Sequence, residues 1–145
     1  MTLNVPLLEQ SFALIRPQAQ AFVDSFYRTL FTDYPEASPL FNHTNMAMQE
    51  DLLLRSLIFV VDNLHQPTVL AETLRGLGAR HVHYGALPEH YPLVGNSLLK
   101  TFAAHLDTEW TAAVEQAWIE AYTVITALML EGANYAQETV KLTNQ

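Results

Sequence analysis

Three polar side chains interrupt apolar helical stripes in this sequence, and each carries a group that can serve a bound ligand: the imidazole of His81, the amide of Gln49 and the phenol of Tyr27. His81 ends a stripe begun by Leu70, Leu74 and Leu77, at offsets of four, seven and eleven residues. Gln49 heads a face shared by Leu53, Leu57, Val60 and Leu64. Tyr27 sits among Phe22, Phe26, Leu30 and Phe31, again at three- and four-residue steps, and therefore points inward. Taken singly, each has a structural explanation. A histidine at a core edge donates to a carbonyl, a glutamine in a first helical turn reaches an unsatisfied amide or water, and a packed tyrosine satisfies its hydroxyl locally. Taken together they match the needs of iron in a haem: one axial imidazole, with a short set of polar groups opposite it in an apolar slot.

The other histidines do not compete for that role. His83 lies about 200° around the helix from His81 by the 3.6-residue repeat, so one faces the core and the other water, and a two-residue spacing is wrong for a shared metal. His43 falls in a loop, His65 and His105 near helix ends, and His90 precedes Tyr91-Pro92 at a helix start, where a partly exposed ring is ordinary. The sequence has no cysteine, which excludes disulfides, thiolate ligands, cysteine nucleophiles and thioether-linked haem or bilin. A cofactor is then held noncovalently. No phosphate-binding loop, G-x-S-x-G elbow or H-E-x-x-H motif occurs, and no inward carboxylate pair announces an acid–base enzyme.

The elements that must position these groups read as helices throughout. Glycines number 5, and the Asn-Gly and Asp-Gly pairs of tight hairpins are absent. Prolines punctuate the chain: Pro6 suits a first helix start, Pro17 breaks that helix, Pro35 and Pro39 bracket a short turn, Pro67 opens the helix of His81, and Pro88 and Pro92 mark another start. A helix from about Pro17 to Phe31 carries Tyr27. After the polar stretch Asn42-His43-Thr44-Asn45 a further helix carries Gln49. Two long helices close the chain, one from about Pro88 to Leu106 with Leu93, Val94, Leu98 and Phe102 inside, the other from near Thr111 to Leu130 burying Trp118, Tyr122, Ile125 and Met129. Thr108 and Thr111 are both suited to cap the last helix. The expected organisation is one domain over residues 1–132 with a polar, loose extension over 133–145.

Composition bounds the partners. The 145 residues are 50% hydrophobic and 15% charged, enough apolar material for one core. Fifteen acidic residues against seven basic ones give a net charge of −8, which repels phosphate backbones, and no basic run marks a nucleic-acid or membrane patch. The longest apolar run, Leu57 to Val61, is far short of the roughly 20 residues of a spanning helix, and the start carries no signal-peptide pattern. A cytoplasmic protein, monomeric or weakly dimeric, binding neither nucleic acid nor membrane, is the expectation.

The segment Leu77-Gly78-Ala79-Arg80-His81-Val82-His83-Tyr84-Gly85, followed by His90-Tyr91-Pro92-Leu93-Val94-Gly95 and Leu98-Leu99, resembles the proximal helix and following turn of the three-over-three globins. The likeness is greatest to bacterial single-domain globins akin to flavohaemoglobin haem domains and to neuroglobin-like bacterial forms. Phe26-Tyr27 with Leu30-Phe31, then Pro35-Glu36 and Pro39-Leu40-Phe41, is similar to that family's distal tyrosine segment and haem-wedging phenylalanine, and Ala117-Trp118 with Tyr122 to its last helix. The resemblance covers nearly the whole chain and implies an all-α, three-over-three helical sandwich around a pocket for haem b.

By that resemblance His81 is the proximal iron ligand, Phe41 packs on the porphyrin, Tyr27 is the distal tyrosine and Leu53 the apolar residue over the iron. Leu77, Val94 and Leu98 join the apolar lining, and Arg80 is a propionate partner or else an exposed helix cation. Gln49, 32 residues before His81, takes the distal helix position. An alignment anchored on Asp62-Asn63-Leu64 would instead place Met46 there and Glu50 over the iron, a costly unpaired buried carboxylate. One departure stands out: flavohaemoglobin-like domains carry a late glutamate bonded with the proximal histidine and the tyrosine matching Tyr91, whereas the aligned position here is Ala133, with Glu131 two residues earlier on a different face. The implied function is reversible binding of dioxygen, nitric oxide or carbon monoxide, with Tyr27 and Gln49 each donating a hydrogen bond worth roughly 1 to 3 kcal/mol. Oxygen storage, nitric oxide detoxification with an external reductase, and gas sensing through a partner all remain open. No reductase domain follows in the sequence, so any turnover is expected to need a separate electron donor. A haemless helical interaction module is the alternative of a different class.

Overall fold

In the computed structural model, which describes residues 3–134, the chain folds into six α-helices, three of whose connections contain a 3-10 segment, with no strand among the described residues. They are α1 (Val5–Ile15), α2 (Ala19–Asp33), α3 (Met46–Asp62), α4 (Pro67–His83), α5 (His90–Leu106) and α6 (Ala112–Gly132). Three of them start on a side-chain cap. Asn4, Asn45 and Thr111 accept from the free amides of Leu7, Met48 and Val114 respectively, satisfying donors that the helix itself leaves unpaired. Of the two threonines suited to cap α6, Thr111 does so, while Thr108 lies in the 3-10 turn Asp107–Glu109.

The proline breaks fall close to their expected places. Pro17 lies in the 3-10 turn Arg16–Gln18, so α2 begins at Ala19 and runs on to Asp33, two residues past Phe31. Pro35 and Pro39 lie within one seven-residue 3-10 segment, Pro35–Phe41, which delivers Phe41 to the end of α2's apolar face. Helix α5 starts at His90 rather than Pro88, and the His90 ring accepts a hydrogen bond from the Leu87 amide at that start. Residues 135–145, most of the stretch read as a loose extension, lie outside the described residues.

Helices α1, α3 and α4 lie against α2, α5 and α6: α4 packs on α6, α3 on α2, and α1 on both α5 and α6. An aromatic core forms where α1, α2, α5 and α6 meet. Phe102 stacks on Trp118 at 4.3 Å and touches Phe22 at 4.8 Å, all three buried, and the Trp118 indole donates to Ser11 Oγ, which in turn bonds back to its own helix. Tyr122, also expected inside, donates from its hydroxyl to the carbonyl of Tyr91, and burial drives its phenol far above the ordinary range. Ile125, Leu93 and Val94 are only half-buried. On the opposite side the sandwich opens between α3 and α4, where Leu53, Leu54, Phe59 and Leu77 are also only half-buried against the core. No helix among the described residues is long and apolar enough to cross a membrane.

Candidate functional site

Helix α4 carries His81 in its last turn and holds its ring in one orientation. His81 Nδ1 donates to the carbonyl of Leu77, 2.8 Å away and one turn back, so Nε2 is the nitrogen left with a lone pair. Burial lowers the imidazole pKa; the Leu77 carbonyl partly opposes this and the Arg80 charge adds to it. The ring is therefore neutral near pH 7, the form that ligates a metal. The edge of Tyr84 meets it at 5.5 Å between ring centres. His83 is exposed, as its angle around the helix requires.

Tyr27 and Gln49 come together across α2 and α3. Gln49 Nε2 donates to Tyr27 Oη at 2.9 Å; with an oxygen lone pair so occupied, the hydroxyl proton is free to be donated elsewhere. Tyr27 is 5% exposed, and its pKa is pushed up to about 12, chiefly by burial, with the Gln49 bond working the other way and the Glu50 charge adding a little. It stays a protonated donor at any physiological pH. Phe41 closes the same cluster, its ring 5.7 Å from that of Tyr27 and 5.4 Å from that of Phe31. Leu53 lies one turn beyond Gln49 on α3, half-buried against the core.

Between α3 and α4 runs a cleft of about 270 Å³ walled mainly by apolar groups, to which Leu77 and Arg80 contribute along with Leu74, Phe59 and Val60. Arg80 is exposed and its guanidinium folds back toward Gly76. Arg55 faces it from α3 and pairs with Asp51 at 2.8 Å. Val94 and Leu98 sit on α5, the second buried and the first half so. Phe59 was not legible as a cleft residue, because it stands off the Gln49–Leu64 stripe. Tyr84 lies within the quoted proximal motif three residues after His81, the neighbour spacing of a helical turn, and that spacing is the signal for its ring contact.

These residues fit an iron porphyrin by the chemistry of their donors. One neutral imidazole has its second nitrogen pinned by a carbonyl, a neutral donor pair stands on different helices, and the remaining groups are apolar with a cation at the rim. Among the described residues no cluster of three or more His, Asp or Glu assembles. The Glu131 carboxylate pairs with Arg75 Nε, and the His81 ring bonds to a main-chain carbonyl of its own helix.

Comparison with known proteins gives a consistent picture. The model of the family described as Globin matches residues 24–129. A flavohemoprotein from Pseudomonas aeruginosa is 31% identical over 137 residues, covering 92% of this chain and 34% of its own length. One from Burkholderia sp. is 33% identical over 130 residues, covering 88% of this chain and 31% of its own length. The chain thus spans about a third of the length of these curated relatives. Among solved structures, an engineered carbene transferase, RmaNOD, described as a candidate nitric oxide dioxygenase from Rhodothermus marinus, superposes with a TM-score of 0.78 at 26% identity over 90% of each chain. A bacterial globin from Campylobacter jejuni superposes with a TM-score of 0.77 at 23% identity, covering 90% of this chain and 94% of the other, a likeness of fold.

Proposed function

Since the chain belongs to the globin family, we propose that it binds haem b noncovalently through His81 and takes up dioxygen or another diatomic gas on the side of Tyr27 and Gln49. The observation that carries this reading is the division of polar groups: an imidazole with Nδ1 bonded to the Leu77 carbonyl, and a separate Gln49–Tyr27 pair with a phenol proton to spare. When bound, the haem supplies a ferrous iron with one position open to dioxygen, nitric oxide or carbon monoxide.

The chain's own residues do the rest. His81 offers Nε2 in a fixed plane, because rotation of the ring would break its bond to Leu77. Tyr27 presents a phenol proton toward the gas, and Gln49 orients that phenol by occupying its oxygen. Neither group ionises near pH 7, so the donor pair works without a change of charge. Leu53, Val94 and Leu98 keep water out, Phe41 wedges the porphyrin from the Tyr27 side, and Arg80, at the cleft rim, is the cation for a propionate. Two uses of one gas site follow: storage of dioxygen, or detoxification of nitric oxide with electrons from a reductase. The flavohemoprotein relatives and the RmaNOD neighbour favour the second.

Absorption spectra of haem-loaded protein in ferric, ferrous and oxygenated forms test the reading. Wild type is expected to hold one haem per chain and a stable oxygenated form, and His81→Ala to lose or convert the Soret band. A wild-type protein that takes up no stoichiometric haem would overturn the proposal in favour of a haemless interaction module.

A further inference from the structure

Helix α4 touches α6 at two points where backbone meets backbone. A Cβ placed on Gly78 would overlap the main-chain carbonyl of Met129, and one placed on Gly132 would overlap that of Arg75. The contacts are reciprocal, a glycine of each helix against the main chain of the other, and three residues separate them along both helices. Main chain inside a helix cannot turn aside as a flexible side chain can, so these two glycines set how closely α4 lies on α6. The Arg75–Glu131 ion pair spans the same crossing. By contrast Gly76, two residues from Gly78, has room: its nearest neighbour would be Arg80 Nη1 at 3.6 Å.

The carbonyl that accepts from His81 Nδ1 belongs to Leu77, and the peptide bond it forms runs into Gly78. The group that orients the imidazole is therefore part of the peptide held against α6. We propose that Gly78 and Gly132 are positioning residues, which fix the height and rotation of His81 relative to the haem by clamping the Leu77–Gly78 peptide on α6. This rests on the reading of His81 as the iron ligand. A group that aims a metal's ligand acts on the strength of the metal bond, and disturbing one typically costs 10- to 100-fold in affinity.

The iron–histidine stretch of the ferrous, ligand-free protein, read by resonance Raman, separates this role from simple core packing, together with the rate of haem transfer to a scavenger. Gly78→Ala is expected to shift or broaden the stretch and to speed haem loss by roughly 10- to 100-fold; Gly132→Ala, clamped one turn further from His81, should do so less, and Gly76→Ala should match wild type in both. Should Gly78→Ala fail to fold, Arg75→Gln loosens the same crossing from the surface and is expected to broaden the band. Folded variants at Gly78 and Gly132 with the wild-type stretch and haem-loss rate would overturn the proposal, as would an unchanged band in Arg75→Gln where Gly78→Ala does not fold. A wild type without any iron–histidine stretch would instead refute His81 as the ligand, so the two failures are distinguishable.

Discussion

The surroundings of His81 and those of Tyr27 are built by opposite means. On the α4–α6 side, main chain lies on main chain at Gly78 and Gly132, and the His81 ring takes its partner from a carbonyl of its own helix. On the α2–α3 side, side chains do the holding: a phenol, an amide and two phenylalanine rings meet edge to face or through one hydrogen bond. Backbone contact is rigid and tolerates almost no added volume, whereas side-chain contact is adjustable one residue at a time. The contrast suits the proposed gas site, in which the ligand of the iron is to stay fixed while the surroundings of the gas are tuned by small changes.

If this division is right, the two sides respond differently to substitution. The largest effect on stability belongs to the backbone crossing. Gly78→Val is expected to cost about 3 kcal/mol or more in urea unfolding of the haem-free protein, since overpacking cannot be relieved by a rotamer change. Tyr27→Phe should lower stability by only about 1 kcal/mol, yet speed dioxygen release by roughly 10- to 100-fold in stopped-flow measurements, because a hydrogen bond to a polarised ligand is lost. Finding the reverse pattern would break the comparison.

The same substitution carries a pH signature. The Tyr27 phenol titrates at 10.0 in the unfolded chain and at about 12 in the fold, so the unfolded state gives up its proton first. The stability this group contributes is complete below pH 10 and is lost as pH rises toward 12. Tyr27→Phe should flatten that part of the alkaline unfolding profile. Gln49→Leu is a milder change, expected to speed dioxygen release by about 3- to 10-fold through loss of one neutral hydrogen bond that orients the phenol. Smallest of all, Gly76→Ala should stabilise the fold by about 0.5 to 1 kcal/mol, because it removes helix-interior glycine entropy where a methyl group has space.

The sequence makes the side-chain cluster far more legible than the backbone crossing. Tyr27 and Gln49 are visible as polar exceptions on periodic apolar faces, and the prediction that they turn inward agrees with their hydrogen bond. The stripe that ends in His81 likewise identifies which face of α4 is apolar. The helices follow from the same periodicity together with the prolines, with ends displaced by one or two residues where a 3-10 turn follows Pro17 and where a turn at Pro88 precedes α5. Gly78 and Gly132 are a different matter. They lie 54 residues apart in the sequence, and nothing local tells a glycine that admits a neighbouring helix from one, such as Gly76, that merely lies on a helix. Phe59 was missed for a related reason: its place in the cleft is set by how α3 and α4 face each other, which periodicity within one helix does not encode.

The infrared C–O stretch of the carbon monoxide complex tests the division of labour most directly, because the stretch falls when a donor points at the bound gas. Tyr27→Phe and Gln49→Leu should each raise it from the wild-type value, the first by more, while Gly132→Ala should leave it in place. An unchanged stretch in the Tyr27→Phe, Gln49→Leu double variant would contradict the account, because no donor on α2 or α3 would then face the gas.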